Sequence, residues 1–284
     1  MKKALFFYLL LSLALVELQA QAWNKSKGSG YVQVSSTFLS YDRLLNGSEE
    51  SVDLKRKITD NTVQLYGEIG LSNKLNAIVI LPYKFTASSE NITAAKNDPF
   101  TEDTLESGSL NGFSNPELGI RFGLLNKSIV LSAQLTVGAR LHQYDSTTGL
   151  QIGYDAWLVN PMLMVGKGWS ENYFQAGLGI RLNTGLYSQN FVAMIEGGQK
   201  FFNGKTFLAL RFDVKIPLTK GTFDEGNAVQ TALFRDNSSY ISPGIKVIQS
   251  LSDHLFLNLA IYGAVFSEFE GGNATLNAAV AYEW

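Results

Sequence analysis

Polar and apolar residues alternate along much of this chain. Between residues 129 and 141, apolar side chains occupy every second position, with Ser132, Gln134, Thr136 and Arg140 among the residues between them. A period of two residues is that of a β-strand with two different faces. No stretch of ten residues has a convincing helical period. The pattern predicts twelve strands, at residues 31–41, 62–71, 75–85, 116–125, 128–142, 157–168, 173–182, 190–202, 206–218, 240–251, 255–266 and 274–284.

The connections between these segments alternate between long and short. The short ones are tight polar turns of the kind that Asn, Asp, Gly and Ser favour, at 72–74, 126–127, 170–172, 203–205 and 252–254. The long ones are 42–61, 86–115, 143–156, 183–189, 219–239 and 267–273. A soluble β-sandwich has no reason to sort its loops in this way, whereas an outer-membrane barrel has short periplasmic turns and long extracellular loops. We therefore expect an all-β fold, a transmembrane antiparallel up-and-down β-barrel of 12 strands.

The start of the chain resembles a secretory signal peptide. Lys2 and Lys3 precede an apolar run over residues 4–16, and Ala20 and Ala22 supply the small residues of a cleavage site. We predict that residues 1–22 are removed, with the mature chain beginning at Gln21 or Trp23. Residues 23–284 then form a single outer-membrane β-barrel domain. The predicted location is the outer membrane of a Gram-negative bacterium.

The last segment ends the chain in mid-pattern, on an aromatic residue. Val280, Tyr282 and Trp284 share one face, and Glu283 and Ala281 share the other. Unpaired backbone groups in lipid cost several kcal/mol each, so a membrane barrel must pair its last strand with its first. The same alternation resembles the C-terminal signal by which outer-membrane proteins are recognised for assembly. We predict that Val280, Tyr282 and Trp284 form this signal and that the barrel-assembly machinery is a partner.

Composition and charge exclude several classes of protein. The formal net charge is −2, which gives no indication of nucleic-acid binding, and there is no cysteine. After the signal peptide, no stretch approaches eighteen consecutive apolar residues, the signature of a membrane-spanning helix. The expected surroundings are outer-membrane lipid. Aromatic girdles are expected near the two strand ends: Trp23, Tyr31, Trp169, Tyr173, Phe174, Phe201, Phe202 and Trp284 on the periplasmic side, and Phe38, Tyr41, Tyr83, Phe85, Trp157, Phe191, Tyr240 and Phe266 on the outer side.

Charged residues within the predicted strands must face the barrel lumen. An Arg or Lys facing lipid at mid-bilayer costs roughly 2–4 kcal/mol. The predicted lumen-lining residues are Glu68, Lys84, Glu117, Arg121, Arg140, Arg181, Glu196, Arg211, Asp213, Lys215 and Lys246, seven basic and four acidic. They could line a wet path, with a slight preference for anions, or pair across the barrel and fill it. The pattern alone leaves both possibilities open.

Catalytic and metal-binding patterns are sparse, and we expect neither an enzyme nor a cofactor or metal site. His254 falls in a short turn, and His142 ends a predicted strand in the run HQYDS. Outer-membrane phospholipases place a serine two residues after a catalytic histidine, but Tyr144 occupies that position here. The loop acids Asp98, Glu102, Asp103 and Glu106 could at most bind a hard cation weakly.

One stretch resembles a known family. In GFSNPELGIRFGLL, residues 112–125, the positions Gly112, Asn115, Leu118, Gly119, Phe122 and Leu125 match a motif of an outer-membrane transporter family named for a protein of the phenol-degradation meta pathway. Asn115 stands where that family more often has Asp. The resemblance implies passage of small organic molecules, often aromatic or apolar.

The leading hypothesis is an outer-membrane channel or facilitator for passive passage of a small organic solute, with apolar and aromatic molecules among the candidates. The rival hypothesis is a non-transporting structural or surface-interaction barrel. Any plug would have to be a folded-in loop, and residues 86–115 are the longest candidate.

Overall fold

The computed structural model describes residues 22–47, 50–92, 104–202, 204–222, 231 and 233–284. Except for Ala22, the predicted signal peptide lies outside these residues and stays a prediction. The described chain forms seventeen strands: β1 (Gly30–Phe38), β2 (Ser40–Gly47), β3 (Glu50–Ser72), β4 (Leu75–Ser88), β5 (Gly108–Phe113), β6 (Glu117–Asn126), β7 (Val130–Gly138), β8 (Gln143–Asp145), β9 (Leu150–Ile152), β10 (Leu158–Gly168), β11 (Asn172–Asn183), β12 (Asn190–Phe201), β13 (Thr206–Pro217), β14 (Ser239–Ser250), β15 (Leu255–Tyr262), β16 (Val265–Gly271) and β17 (Thr275–Glu283).

Twelve of these strands close into an antiparallel ring. The ring order is β1, β3, β4, β6, β7, β10, β11, β12, β13, β14, β15 and β17, and β17 pairs back onto β1. Consecutive ring strands are neighbours, which is the predicted up-and-down topology. The predicted fold class is therefore confirmed. Several strand boundaries differ from the pattern. β3 begins at Glu50, well before residue 62, whereas β1, β7 and β15 end at Phe38, Gly138 and Tyr262, each three or more residues before the predicted end.

The ring turns an apolar face outward along every strand. On β6, Leu118, Ile120 and Phe122 are exposed, whereas Arg121 between them is buried. On β17, Val280 and Tyr282 are exposed and Ala281 is buried. A closed ring with polar residues inside and a continuous apolar band outside is the arrangement that lipid requires. Within the described residues, no helix is long and apolar enough to cross a membrane.

Aromatic residues occupy both rims, but the girdle prediction is wrong for several of them. Trp169, Phe174 and Trp284 are exposed near the periplasmic turns, and Phe38, Phe85 and Trp157 near the outer ends. In contrast, Tyr31 and Tyr41 are buried inside the barrel, as is most of Trp23. Tyr173 and Tyr240 also point inward. The hydroxyl group of Tyr173 donates to Glu196, and Tyr240 lines a cavity. These tyrosines belong to the lumen because a phenol needs a hydrogen-bond partner when it is buried.

The outer end of the barrel extends beyond the ring and is capped. The first half of β3 pairs with β2, which pairs with β16, and the β8–β9 hairpin folds inward. Tyr41, Leu44, Ile58, Leu150 and Leu233 form a buried apolar cluster there. Among the described residues, the cap includes the β8–β9 hairpin, between β7 and β10, and residues 231 and 233–238. Residues 93–103 of the predicted plug candidate 86–115 lie outside the described residues. The described part of 86–115 contributes the hairpin of β4 with β5 and the buried Leu105.

Candidate functional site

A column of polar cavities runs along the inside of the barrel. A lower cavity of about 160 Å³ adjoins a middle cavity of about 630 Å³, because both are lined by Gln33, Gln64 and Arg211. The middle cavity adjoins an outer cavity of about 270 Å³ through Tyr240 and Glu270, which line both. Alternation of side chains along each strand places these polar groups inside. The column ends beneath the outer cap.

The first described residues, 22–29, form what we call the N-terminal segment, and residues 22–25 lie inside the periplasmic end of the barrel. Ala22 is fully buried, and its carbonyl oxygen accepts a hydrogen bond of 3.0 Å from Ser132 Oγ. Its backbone N–H donates to Gln175 Oε1 at 3.4 Å. Trp23 lies against Gly166, where an added Cβ would come within 2.5 Å of the indole ring. Gly166 therefore makes room for the segment.

Further contacts anchor the N-terminal segment to the ring. Asn24 Nδ2 donates to the backbone oxygens of Lys74, at 2.9 Å, and Arg121, at 3.3 Å. Lys25 Nζ lies 2.7 Å from Glu283 Oε1 on the last strand. The sequence pattern did not predict that these eight residues contact the inside of the barrel. They show no strand alternation, so nothing in the pattern distinguishes them from a loose connection before the first strand.

Glu68 and Arg121 form the first charged network, close to the periplasmic end. Arg121 Nη1 donates to Glu68 Oε1 at 2.7 Å, and both side chains are buried. The same carboxylate accepts hydrogen bonds from Asn76 and, at 2.7 Å, from the hydroxyl group of Tyr66. Arg121 also donates to Gln134 and to the carbonyl oxygen of Trp23. A buried ion pair with this many hydrogen bonds is one whose charges are compensated.

Glu196 forms the second network across the lumen from the first. Its carboxylate accepts hydrogen bonds from Tyr173, at 2.7 Å, from Gln175 and from Lys246, at 3.1–3.2 Å. Arg211 approaches the same carboxylate to 3.6 Å and forms a bidentate pair with Asp213 at 2.7 and 2.8 Å. Paired charges thus occupy much of the periplasmic half of the lumen and leave the lower cavity of about 160 Å³ beside them.

The remaining predicted lumen residues lie higher in the barrel. Lys84 pairs with Asp60 at 2.5 Å, and Glu117 accepts a hydrogen bond from Thr136 at 2.8 Å. Lys215 Nζ donates to Ser238 Oγ at 2.6 Å and lies 3.9 Å from Glu270. Asp60 and Glu270 were missed by the sequence pattern because both lie in parts of β3 and β16 that it assigned to loops.

Arg181 and Arg140 differ from the other predicted lumen bases, Arg181 in its hydrogen-bond partner and Arg140 in its position. Arg181 lines the outer cavity, and its Nε donates to the neutral Asn160 Oδ1 at 3.1 Å. Arg140 lies beyond the end of β7, on the outer rim rather than in the lumen, and its side chain is 57% exposed. Its guanidinium pairs with Asp155 at 2.5 and 2.9 Å. These hydrogen bonds hold the pKa of the Asp155 carboxyl below its usual value.

Ten of the eleven predicted lumen residues thus point into the barrel. Paired charges line all three cavities, and the smallest, about 160 Å³, lies in the lower lumen. Among the described residues, no group of three or more His, Cys, Asp or Glu side chains is placed to hold a metal ion. His142 Nε2 lies 3.3 Å from Gln151 Oε1, and His254 Nδ1 lies 2.8 Å from the carbonyl oxygen of Glu283. Asp98, Glu102 and Asp103 lie outside the described residues.

The fold is similar to those of solved outer-membrane barrels. The COG4313 outer membrane channel from Pseudomonas putida F1 has a TM-score of 0.70 at 14% identity, covering 93% of this chain and 98% of that one. The translocator domain of the autotransporter NalP from Neisseria meningitidis has a TM-score of 0.56 at 12% identity, with 100% and 97% covered. The toluene transporter TodX from Pseudomonas putida has a TM-score of 0.50 at 10% identity, with 91% and 90% covered.

No protein-family model matches the chain, and no curated protein matches it in sequence. The closed ring, its apolar outer band and these structural similarities define the class: the protein is a bacterial outer-membrane β-barrel of twelve strands. At these levels of identity the similarity concerns the fold.

Proposed function

We propose that this barrel is a channel or facilitator for passive passage of a small organic solute across the outer membrane. The observation that carries the proposal is the column of adjoining cavities of about 160, 630 and 270 Å³ inside the ring. A barrel of purely structural role could fill its interior with paired charges throughout. Here ion pairs occupy only part of the described lumen, and the three cavities remain beside them.

Both ends of the column are narrowed by parts of the chain that could move without breaking the ring. The N-terminal segment closes the periplasmic end, and none of its residues belongs to a ring strand. Residues 231 and 233–238 and the β8–β9 hairpin close the outer end. We propose that passage requires displacement of these segments, while the twelve ring strands stay paired.

The class of solute follows from the lining of the cavities. The middle cavity is lined by amides, hydroxyls and charges, including Gln33, Gln64, Asn277, Tyr240 and Tyr262. Polar groups of this kind bind polar parts of a solute, and tyrosine rings contact apolar or aromatic parts. The sequence motif resembles that of a transporter family for small organic molecules, and TodX, a structural neighbour, is a toluene transporter. We propose an organic solute with a polar substituent rather than a bare hydrocarbon.

Conductance and uptake test this function. The purified mature barrel is incorporated into planar bilayers, and proteoliposomes are tested for uptake of small organics and sugars. Discrete channel events and faster uptake of at least one solute class, compared with protein-free membranes, are expected. Silence at all voltages together with no uptake would contradict the proposal and favour the structural or surface-interaction barrel.

We further propose that the protein is not an enzyme. The exposed Tyr144 stands two residues after His142, where a phospholipase would need its serine. Hydrolysis of phospholipid by the purified barrel, measured as released fatty acid, would contradict this.

A further inference from the structure

The outer cavity combines an apolar wall with an excess of positive charge. It measures about 270 Å³, and we call it the outer chamber. Among the residues that the structure describes, four basic side chains line it, Lys84, Arg181, Lys215 and Arg235, and two acidic ones, Asp60 and Glu270. Charge of one sign lining a cleft raises the local concentration of oppositely charged solutes.

The hydrogen-bond partners show where the excess charge lies. Lys84 is neutralised by both carboxylate oxygens of Asp60, at 2.5 and 2.7 Å. Glu270 is the acid nearest to Lys215 in the chamber, at 3.9 Å. Arg181 instead donates through Nε to an uncharged amide oxygen, that of Asn160. The guanidinium of Arg181 therefore carries a charge that Asn160 does not compensate.

The outer chamber is also lined by aromatic and aliphatic side chains. Leu233 and Phe234 from the folded-in segment and Leu39 from the start of the outer extension line it. Phe234 packs edge-on against Tyr154, with ring centroids 5.2 Å apart. Lys84 Nζ lies 5.0 Å from the centroid of the Phe234 ring. A ring entering this space would meet these carbon atoms and also the guanidinium of Arg181, which lines the same chamber.

We propose that the outer chamber is a selectivity site for single-ring aromatic carboxylates. This inference rests on the proposed channel function and narrows its solute class. The aromatic ring contacts Phe234 and Leu39, which are only partly buried, and the carboxylate pairs with Arg181, whose planar fork of N–H groups matches a carboxylate. Pockets for drug-sized ligands measure roughly 300–1,000 Å³, so a chamber of about 270 Å³ suits a smaller molecule with one ring.

Equilibrium binding to the full mature barrel in detergent tests the site, with benzoate, benzamide and acetate as probes. Benzoate is expected to bind at least tenfold more tightly than either of the others, because benzamide lacks the charge and acetate lacks the ring. Arg181→Gln should weaken benzoate binding roughly 10- to 100-fold, the range for a hydrogen bond to a charged group, and leave benzamide unchanged. Arg181→Lys should be intermediate because it keeps the charge but loses the fork.

Arg140→Gln is the matched control, since Arg140 lies on the rim and pairs with Asp155. Each variant is first shown to be folded by its resistance to unfolding in SDS at room temperature. Equal binding of benzoate and benzamide, or an Arg181→Gln variant that binds benzoate like the parent, would overturn the inference. Channel activity without benzoate selectivity would remove this inference alone, whereas benzoate binding without conductance or uptake would remove the channel function and leave the site.

Discussion

Gly30 and Trp284 form a backbone pair where the barrel closes, next to the pairing of β1 with β17. The backbone N–H of each donates to the carbonyl oxygen of the other, at 3.0 Å in both directions. The indole ring of Trp284 lies over Gly30, where a Cβ would come within 2.2 Å of the ring. The Trp284 ring can occupy this position because Gly30, on β1, has no side chain.

Gly30→Ala should therefore destabilise the barrel. The added methyl group must push the Trp284 ring off the seam, and overpacking of this kind costs about 1–3 kcal/mol. The measurement is the temperature at which the folded form is lost in SDS. Gly168→Ala is the control, because that position is also near the periplasmic end and has no atom within 4 Å of the added Cβ. Equal melting of both variants would contradict the packing of Trp284 on Gly30.

Trp284→Ala should reduce assembly in the cell more than stability in the test tube. We propose that the exposed face of Val280, Tyr282 and Trp284 is read by the barrel-assembly machinery. The amount of folded protein in the outer membrane should fall several-fold, while the purified variant refolds in detergent. Ala278→Ser, a change on the same face, serves as the control. Normal membrane levels of Trp284→Ala would count against the signal.

Glu196→Gln should cost about 3–5 kcal/mol of unfolding free energy, because it leaves Lys246 and Arg211 without their shared carboxylate in a buried place. Denaturant unfolding in lipid vesicles measures the loss. The double variant Glu196→Gln, Lys246→Met should recover part of it, since the uncompensated ammonium is also removed. A double variant less stable than the single one would show that Lys246 contributes through other contacts.

Releasing the N-terminal segment should open the periplasmic end. Trp23→Ala combined with Asn24→Ala removes the indole packed on Gly166 and the amide bonded to Lys74. Single-channel conductance should rise, roughly twofold or more, because a constriction limits ion flow. Lys27→Ala is the control, since the Lys27 side chain is exposed. Unchanged conductance in the double variant would mean that the segment does not limit passage.

The Asp155 carboxyl should titrate below its usual pKa of 3.8, because Arg140 donates two hydrogen bonds to it. A depressed pKa means that the pair stabilises the folded state above the unfolded pKa and loses this effect as the pH falls through the folded pKa. NMR titration of the Asp155 carboxyl in the parent and in Arg140→Gln checks this. The pKa should move upward in the variant; an unchanged value would exclude the pair as its cause.

The ring was predictable because alternation along one strand is a local signal. Each predicted segment overlaps a ring strand, and some, such as 206–218, match it closely, since lipid imposes a strict inside and outside on every residue. The faces of Arg121, Glu196 and Lys246 follow from the same rule. The hydrogen-bond partners of these residues could not be predicted in this way, because pairing across the lumen depends on the register of several strands at once.

The closures at the two ends could not be derived from the pattern. Trp23 looks like a girdle residue in sequence, but its packing on Gly166 depends on a contact between distant parts of the chain. Leu233 and Leu150 lie in segments without alternation, and their burial follows from the cap that they build together. Asp60 falls in a predicted loop, where a charged side chain is usually solvated. Its position beside Lys84 follows from the extension of β3, which the pattern did not predict.

The placement of Lys25 beside Glu283 has a consequence for how the molecule folds. These residues are 258 positions apart, yet their side chains meet inside the ring at 2.7 Å. Contacts between such distant positions form late, because the loop-closure entropy is lost before the contact contributes. Until then the free edges of β1 and β17 can pair with another chain. The N-terminal segment should therefore enter the barrel in the same slow, final step in which β1 pairs with β17. Before this step the barrel should be most prone to aggregate.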